Sequence, residues 1–196
     1  MNTDYDVLIA GGGMVGGTLA CALGGSSLKV CVIEPQPAPP PQDEYDLRVS
    51  AITLASQTVF ENIGAWAGMR ARRATAMDGG SAGNAGAVFR PAPIEAMRVW
   101  EDEGVINFDS ADIGEACLAW IVENRVIVAA LAERLQQFAN ITQLAPAQVS
   151  TLHVEEEKVA VRLADGRTLS ASLLVGADGA ESRVRREAGI EWTRHD

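Results

Sequence analysis

The pattern of apolar and polar positions divides the first 34 residues into a strand, a turn, a helix and a second strand. The apolar run from Tyr5 to Ala10 predicts a buried strand, and the run from Leu28 to Ile33 predicts another. The segment from Gly11 to Gly16 directly follows the first strand, and the small residues after it are typical of a tightly packed helix. Glu34 stands at the end of the second strand.

This order matches a dinucleotide-binding βαβ unit, in which each glycine of the turn and the acidic residue have a physical role. Gly11 permits the tight turn, Gly13 has no Cβ and lets a pyrophosphate approach the backbone, and Gly16 lets the helix pack on the sheet. The free N–H groups at the helix start face the phosphates. Glu34 accepts hydrogen bonds from a ribose diol, and its charge disfavours a 2′-phosphate. The alternative is a glycine-rich turn in an ordinary α/β protein.

Further elements follow from periodicity and from capping residues. Ser50 or Thr53 is expected to cap a helix that ends at Gly64. The apolar segments Met97–Trp100 and Val105–Phe108 predict a β-hairpin. An apolar stripe then predicts a helix, and turn residues separate the later strands. The expected elements are a helix at Asn124–Phe138, strands at Gln148–Val154, Val159–Leu163 and Thr168–Val175, and a short helix at Ser182–Gly189.

Three details complete the expected architecture. The end of the last strand, Leu173–Val175, is apolar enough to predict a buried strand that leads into a turn. The proline-rich stretch Pro35–Pro41 predicts an extended surface loop. Turn-forming and small residues dominate Ala76–Gly86, so we expect a mobile loop there.

Composition narrows the function classes. The 196 residues suit one domain or one domain with a partial second, and the net charge of −10 argues against nucleic acid or an anionic membrane as an electrostatic partner. Cys21, Cys31 and Cys117 lack metal-ligand spacing, which indicates a reducing compartment and no metal site. No signal peptide or membrane span is evident, so we expect a cytoplasmic location and leave peripheral contact with the inner membrane open.

Five segments together carry a family resemblance: Gly11–Gly16, Arg48–Ile52, Met97–Trp100, Ile121–Asn124 and Gly176–Arg185. The chain resembles the N-terminal half of the class A FAD-dependent monooxygenases, which have the para-hydroxybenzoate hydroxylase fold. The match is closest to the ubiquinone-biosynthesis hydroxylases. The resemblance implies an α/β fold: a Rossmann-like FAD-binding domain with a parallel sheet, a three-stranded β-meander crossover, and a fragment of a β-sheet substrate domain.

The resemblance also implies domain boundaries. The FAD-binding domain would comprise residues 1–75 and 111–190, with the mobile loop at 76–95 between its two parts. Residues 96–110 would be a hairpin of the substrate domain, and residues 191–196 the start of that domain's next segment.

Four more cofactor contacts come from the resemblance. Arg48 matches an arginine near the FAD phosphates and ribityl chain. Asn124, rather than Arg125, falls where many relatives carry an arginine that contacts the cofactor. Val149 matches a strand position whose backbone meets the adenine, and Asp178 an aspartate near the pyrophosphate. The alternatives are a solvated cation, an ordinary strand residue and a turn former, for Arg48, Val149 and Asp178 respectively. The expected cofactor-binding residues are Gly11, Gly13, Met14, Val15, Gly16, Glu34, Arg48, Asn124, Val149 and Asp178.

The implied chemistry is hydroxylation of a small or lipid-like phenol by FAD and oxygen, with NAD(P)H as reductant and association with a biosynthetic complex left open. No residue is expected to be catalytic in its own right. The second FAD motif of the family, a Gly-Asp pair before a helix, and most of the substrate domain are missing, so we expect this chain to be inactive alone. Two alternatives stay open: another FAD-dependent oxidoreductase of the same fold, or a non-catalytic nucleotide-binding remnant.

Overall fold

The structure, a computed structural model, describes residues 3–38, 46–71 and 91–193. Within these ranges the chain forms strands, α-helices and one 3₁₀ helix. In chain order they are β1 (Tyr5–Ala10), α1 (Met14–Ala22), β2 (Val30–Ile33), β3 (Val49–Thr53), α2 (Leu54–Asn62), α3 (Trp66–Ala71), β4 (Ala92–Ile94), β5 (Ala96–Glu101), β6 (Gly104–Asp109), the 3₁₀ helix Ser110–Ile113, β7 (Ala119–Glu123), α4 (Asn124–Leu135), β8 (Ile141–Leu144), β9 (Val149–Val154), β10 (Val159–Leu163), β11 (Thr168–Gly176) and α5 (Arg183–Glu187).

The chain divides into two compact units. The first comprises Met1–Pro39 and Leu131–Asp196, and the second comprises Pro40–Ala130. The first unit contains a six-stranded sheet in the order β8-β2-β1-β11-β10-β9. Strands β8, β2, β1 and β11 are parallel, whereas β9, β10 and β11 form an antiparallel meander. The predicted α/β class, parallel sheet and three-stranded meander are therefore confirmed.

The core of the first unit explains why these strands form. Leu8 and Cys31 lie on neighbouring parallel strands and are fully buried, as the unbroken apolar runs of a central parallel sheet predict. Val161 and Leu163 of the meander belong to the same buried cluster. The meander strands and the parallel strands of this sheet therefore share one apolar core.

Two predictions for the first unit are wrong. The helix after Asn124 ends at Leu135 rather than Phe138, because the N–H groups of Gln137 and Phe138 donate three residues back, to Arg134 and Leu135, and tighten the chain into a turn. The end of β11 is not buried throughout, since Leu173 is 53% exposed. An apolar run alone does not reveal which face of a strand is covered.

The second unit contains a three-stranded antiparallel sheet, β3-β7-β4, and the hairpin β5–β6. The hairpin was predicted from sequence. Of the two possible caps of α2, Thr53 is the one used: its hydroxyl accepts a hydrogen bond from the N–H of Ser56 at 3.3 Å. Gly64, with φ of +74°, follows the end of this helix as predicted.

The predicted loop at 76–95 falls mainly on residues 72–90, which lie outside the described ranges. The end of the predicted loop, which is described, forms β4 instead. This strand pairs with β7 through Ala92 and Ile121. Residues 39–45 of the proline-rich stretch and its surroundings also lie outside the described ranges.

The cysteines are buried in the structure, two of them in α1 and β2. Cys21, Cys31 and Cys117 are buried free thiols, and burial raises the pKa of Cys21 and of Cys31 to about 11. Across the described ranges, no helix combines the length and apolar character needed to cross a bilayer.

The core assignment predicts that truncating a buried leucine destabilises the protein more than truncating an exposed one. Leu8→Ala should lower the free energy of unfolding by about 3 kcal/mol, because it leaves a cavity in a fully buried strand. The matched control is Leu47→Ala at a 97% exposed position, for which we expect a change within about 0.5 kcal/mol. Urea unfolding followed by far-ultraviolet circular dichroism measures both; equal losses would contradict this core.

Candidate functional site

The glycine turn after β1 is formed by backbone segments too close together to admit side chains. Gly11 has φ of +101°, and a Cβ there would lie 2.2 Å from the carbonyl oxygen of Ala177. A Cβ on Gly16 would lie 1.9 Å from the carbonyl oxygen of Gly11. The N–H of Gly11 donates to Ile33 at 2.8 Å, which ties the turn to the end of β2. Both roles predicted for these glycines, the tight turn and close helix packing, agree with this geometry.

Gly13 differs from the other two glycines because its missing side chain faces open space. No heavy atom of the described residues lies within 4 Å of the position that a Cβ would take. Gly13 is the N-cap of α1 and has extended backbone angles. The turn therefore leaves an opening at the start of the helix, as expected for a site that receives a pyrophosphate.

The start of α1 offers unpaired backbone donors to this opening. No side chain caps the helix, its first turn has no acidic residue, and no described group accepts a hydrogen bond from the N–H of Met14 or Val15. These donors and the positive end of the helix dipole suit an anion. The opening at Gly13 and the two free amides fit the pyrophosphate of FAD.

Glu34 lies beside the turn and is held there by main-chain groups. Its Oε2 accepts a hydrogen bond from the N–H of Gly12 at 2.6 Å, and its Oε1 accepts one from the N–H of Gln36 at 3.0 Å. Each carboxylate oxygen has more than one acceptor position, so both can still accept a bond from a hydroxyl. The geometry suits a ribose diol next to the pyrophosphate.

A groove of about 280 Å³ in the first unit brings together three predicted residues, Gly11, Val149 and Asp178. The sequence did not single out the other groove residues. They are Ala10, Ile33, Pro35, Gln148, Glu181, Arg183 and Arg186. The N–H of Ala147 donates to the carbonyl of Glu34 at 2.8 Å, which fixes the start of the meander beside the end of β2.

The carboxylate of Asp178 is hydrogen-bonded to the residues that follow it in the chain. It accepts hydrogen bonds from the hydroxyl of Ser182 and from the N–H groups of Arg183 and Val184, the latter two at 2.7 and 3.1 Å. Burial acts to raise the pKa of Asp178, but these hydrogen bonds outweigh it and hold the pKa below the usual 3.8. Asp178 therefore stays ionised and organises the wall of the groove.

The two remaining predicted residues lie in the second unit. The guanidinium of Arg48 is 82% exposed and lies 3.5 Å from the carboxylate of Asp46. Asn124 donates its main-chain N–H to the carbonyl of Arg48 at 2.9 Å, and its side-chain oxygen accepts a hydrogen bond from Ser50 at 2.6 Å. Within residues 3–38, 46–71 and 91–193, no group accepts a hydrogen bond from the side-chain NH₂ of Asn124, which is left as a donor.

Sequence reasoning missed a buried carboxylate next to Asn124. Glu123 is 2% exposed, and its Oε2 accepts hydrogen bonds from the side chain of Arg125 and from the N–H of Asp46 at 3.0 Å. An acidic residue at the end of an apolar strand, with an arginine two residues later, is the signal that could have revealed it. Arg125 thus turns toward Glu123, as expected when Asn124 was preferred as the cofactor contact.

Comparisons with known proteins agree with this geometry. A family model described as "FAD binding domain" matches residues 4–196. Across 192 residues, the chain is 34% identical to the 3-demethoxyubiquinol 3-hydroxylase of Escherichia coli K12, covering 96% of this chain and 45% of that protein. Across 187 residues it is 37% identical to the ubiquinone hydroxylase UbiL of Rhodospirillum rubrum, covering 94% of this chain and 39% of that protein.

A solved structure supports the fold. The p-nitrophenol 4-monooxygenase PnpA of Pseudomonas putida DLL-E4 superposes with a TM-score of 0.73 at 18% identity, over 98% of this chain and 45% of that one. The chain thus spans less than half the length of the curated relatives and of this solved protein.

Gly13→Val tests the opening at the start of α1. The variant should fold with an unchanged thermal midpoint, because the new side chain meets open space and an extended backbone suits valine. FAD binding, measured by calorimetry, should be lost, because the side chain occupies the place of the pyrophosphate. Retained affinity would contradict the assignment.

Asp178→Asn tests the role of the ionised carboxylate. The pKa of Asp178 in the folded protein lies below the usual 3.8. The ionised carboxylate therefore stabilises the folded state fully above pH 3.8, and this stabilisation is lost as the pH falls through the folded pKa. The variant should therefore be less stable than the parent at pH 7, and this difference in the free energy of unfolding should shrink as the pH is lowered below 3.8, as measured by urea unfolding. Exposed Asp112→Asn is the control, and a loss for Asp178→Asn that does not change with pH would contradict this role.

Proposed function

Because the chain belongs to the FAD binding domain family, we propose that it is the FAD-binding portion of a ubiquinone-biosynthesis monooxygenase. The complete enzyme would hydroxylate the aromatic ring of a polyprenylated phenol. The names of the two relatives, a 3-demethoxyubiquinol 3-hydroxylase and a ubiquinone hydroxylase, support this substrate class.

The observation that carries the proposal is the uncapped start of α1 beside the carboxylate of Glu34. The N–H groups of Met14 and Val15 would hold the pyrophosphate, and Glu34 would hold the adenosine ribose. Val149 lines the groove and would lie against the adenine. Asp178 would act by holding the wall of this groove in place.

Arg48 and Asn124 are proposed as further cofactor contacts on the evidence of their own side chains. The exposed guanidinium of Arg48 can meet a phosphate or the ribityl hydroxyls, and the free NH₂ of Asn124 can donate to a carbonyl or a hydroxyl. Glu123 would position this pair, since it binds the N–H of Asp46 two residues before Arg48.

Bound FAD would supply the redox chemistry, which is reduction by NAD(P)H and transfer of one oxygen atom from O₂ to the ring. The protein's own contribution would be to bind, orient and exclude water. No residue described above is assigned a catalytic role.

The hairpin β5–β6 is proposed as a part of the substrate domain. Met97 pairs with Phe108 and Val99 with Ile106, so four apolar side chains share one face, and all four are exposed. We expect an exposed apolar face of this kind to be covered by further strands or by substrate. We also propose a cytoplasmic location and leave peripheral contact with the inner membrane open, since a polyprenylated substrate would reside in a bilayer.

The direct test of the proposal is ligand choice. The purified chain should bind FAD in preference to NAD in calorimetric titrations, and the complex should show a flavin spectrum. NAD binding with no affinity for FAD would contradict the proposal. Weak FAD affinity is expected, since the chain spans less than half of its relatives' length.

An activity assay tests whether this chain can hydroxylate a substrate without the rest of the enzyme. Incubated with FAD, NAD(P)H, O₂ and a short-chain prenylphenol, this chain should give no hydroxylated product, and at most slow NAD(P)H oxidation with release of peroxide. Joining it to the C-terminal portion of the Escherichia coli relative should restore tight FAD binding and hydroxylation. Stoichiometric product from this chain alone would contradict the expectation.

A further inference from the structure

Arg183 lies in the groove beside Val149, and neither the motif nor the family resemblance assigned it a role. It is the first residue of α5, and its Nη1 donates a hydrogen bond to the carbonyl of Ser150 on β9 at 2.9 Å. This bond fixes the guanidinium against the meander. No described group accepts a hydrogen bond from its Nε or Nη2.

The acidic residues around this guanidinium are engaged elsewhere. Asp178 accepts from Ser182 and from two main-chain N–H groups, and Glu181 lies 3.7 Å from the guanidinium of Arg186. Arg183 is therefore a half-buried, planar cation that forms no ion pair with a carboxylate in the described part of the chain. A group of that kind suits an aromatic ring face or an anion.

The position of the groove decides between these two partners. Phosphates are drawn to the N–H groups of Met14 and Val15, and neither residue lines the groove. The groove is lined instead by the residues on either side of Glu34 in the chain, Ile33 and Pro35, whose side chains are apolar. Apolar walls on one side and a planar cation on another suit a flat, electron-rich heterocycle.

We propose that Arg183 is a specificity-determining residue for the adenine base of the bound dinucleotide. This inference rests on the proposed FAD-binding function and adds a residue to it. The flat guanidinium would pack against the purine, held in orientation by its bond to Ser150. Arg183 would thus make the chain favour adenine-containing ligands over flavin mononucleotide, which lacks the base.

The experiment measures binding of ADP, FAD and inorganic pyrophosphate to the full 196-residue chain by calorimetry. The variants are Arg183→Ala and Arg183→Lys, with Arg162→Ala on the exposed part of β10 as the matched control. Losing the stacking of a desolvated guanidinium plane on the purine should weaken ADP and FAD binding roughly tenfold. Lysine should fail to rescue, because it keeps the charge and lacks the plane. Thermal midpoints confirm that each variant is folded.

The outcomes separate this inference from the proposed function. Equal losses for Arg183→Ala and Arg183→Lys with ADP and FAD, and unchanged pyrophosphate binding, support the assignment. Wild-type affinity in Arg183→Lys, or a matching loss for pyrophosphate, would overturn it in favour of a phosphate contact. Unchanged binding in both variants would also overturn it while leaving FAD binding intact. Absence of FAD binding by the parent chain would instead reject the proposed function.

Discussion

The close approach of three backbone segments at Gly11 underlies the arrangement of the first unit. Side chains at Gly11 or Gly16 would collide with the carbonyl oxygens of Ala177 and Gly11, so the turn after β1 exists only with glycine at both positions. The N–H of Ala177 donates to Ala10 at 2.7 Å and brings the end of β11 against the same turn. The groove and the open helix start both result from this packing.

Acidic side chains in this protein act largely by binding backbone N–H groups. Glu34 holds Gly12 and Gln36, Asp178 holds the first residues of α5, and Glu123 holds Asp46. Charge-assisted hydrogen bonds of this kind are stronger than neutral ones and fix loops that have no regular structure. Asp178, expected from the resemblance to approach the pyrophosphate, makes its described hydrogen bonds to its own chain.

Features that depend on local pattern could be predicted from the sequence. The βαβ unit and the hairpin β5–β6 follow from periodicity and from glycines with a specific backbone role, whereas the helix cap was narrowed only to Ser50 or Thr53. Strand β8 could not be predicted in this way, because it has four half-exposed or exposed residues and forms only by pairing with β2. The groove escaped prediction for a related reason, since Pro35, Gln148 and Arg183 are distant in sequence and meet only through tertiary packing.

The central claim is that the first unit holds the ADP half of FAD at the start of α1 and in the adjoining groove. The most direct measurement is the change in backbone amide NMR resonances of the isotope-labelled chain as ADP is added. The account predicts the largest shifts at Gly13, Met14 and Val15, with further shifts at Val149 and Arg183. Shifts confined to other residues, or none at saturating ADP, would contradict it.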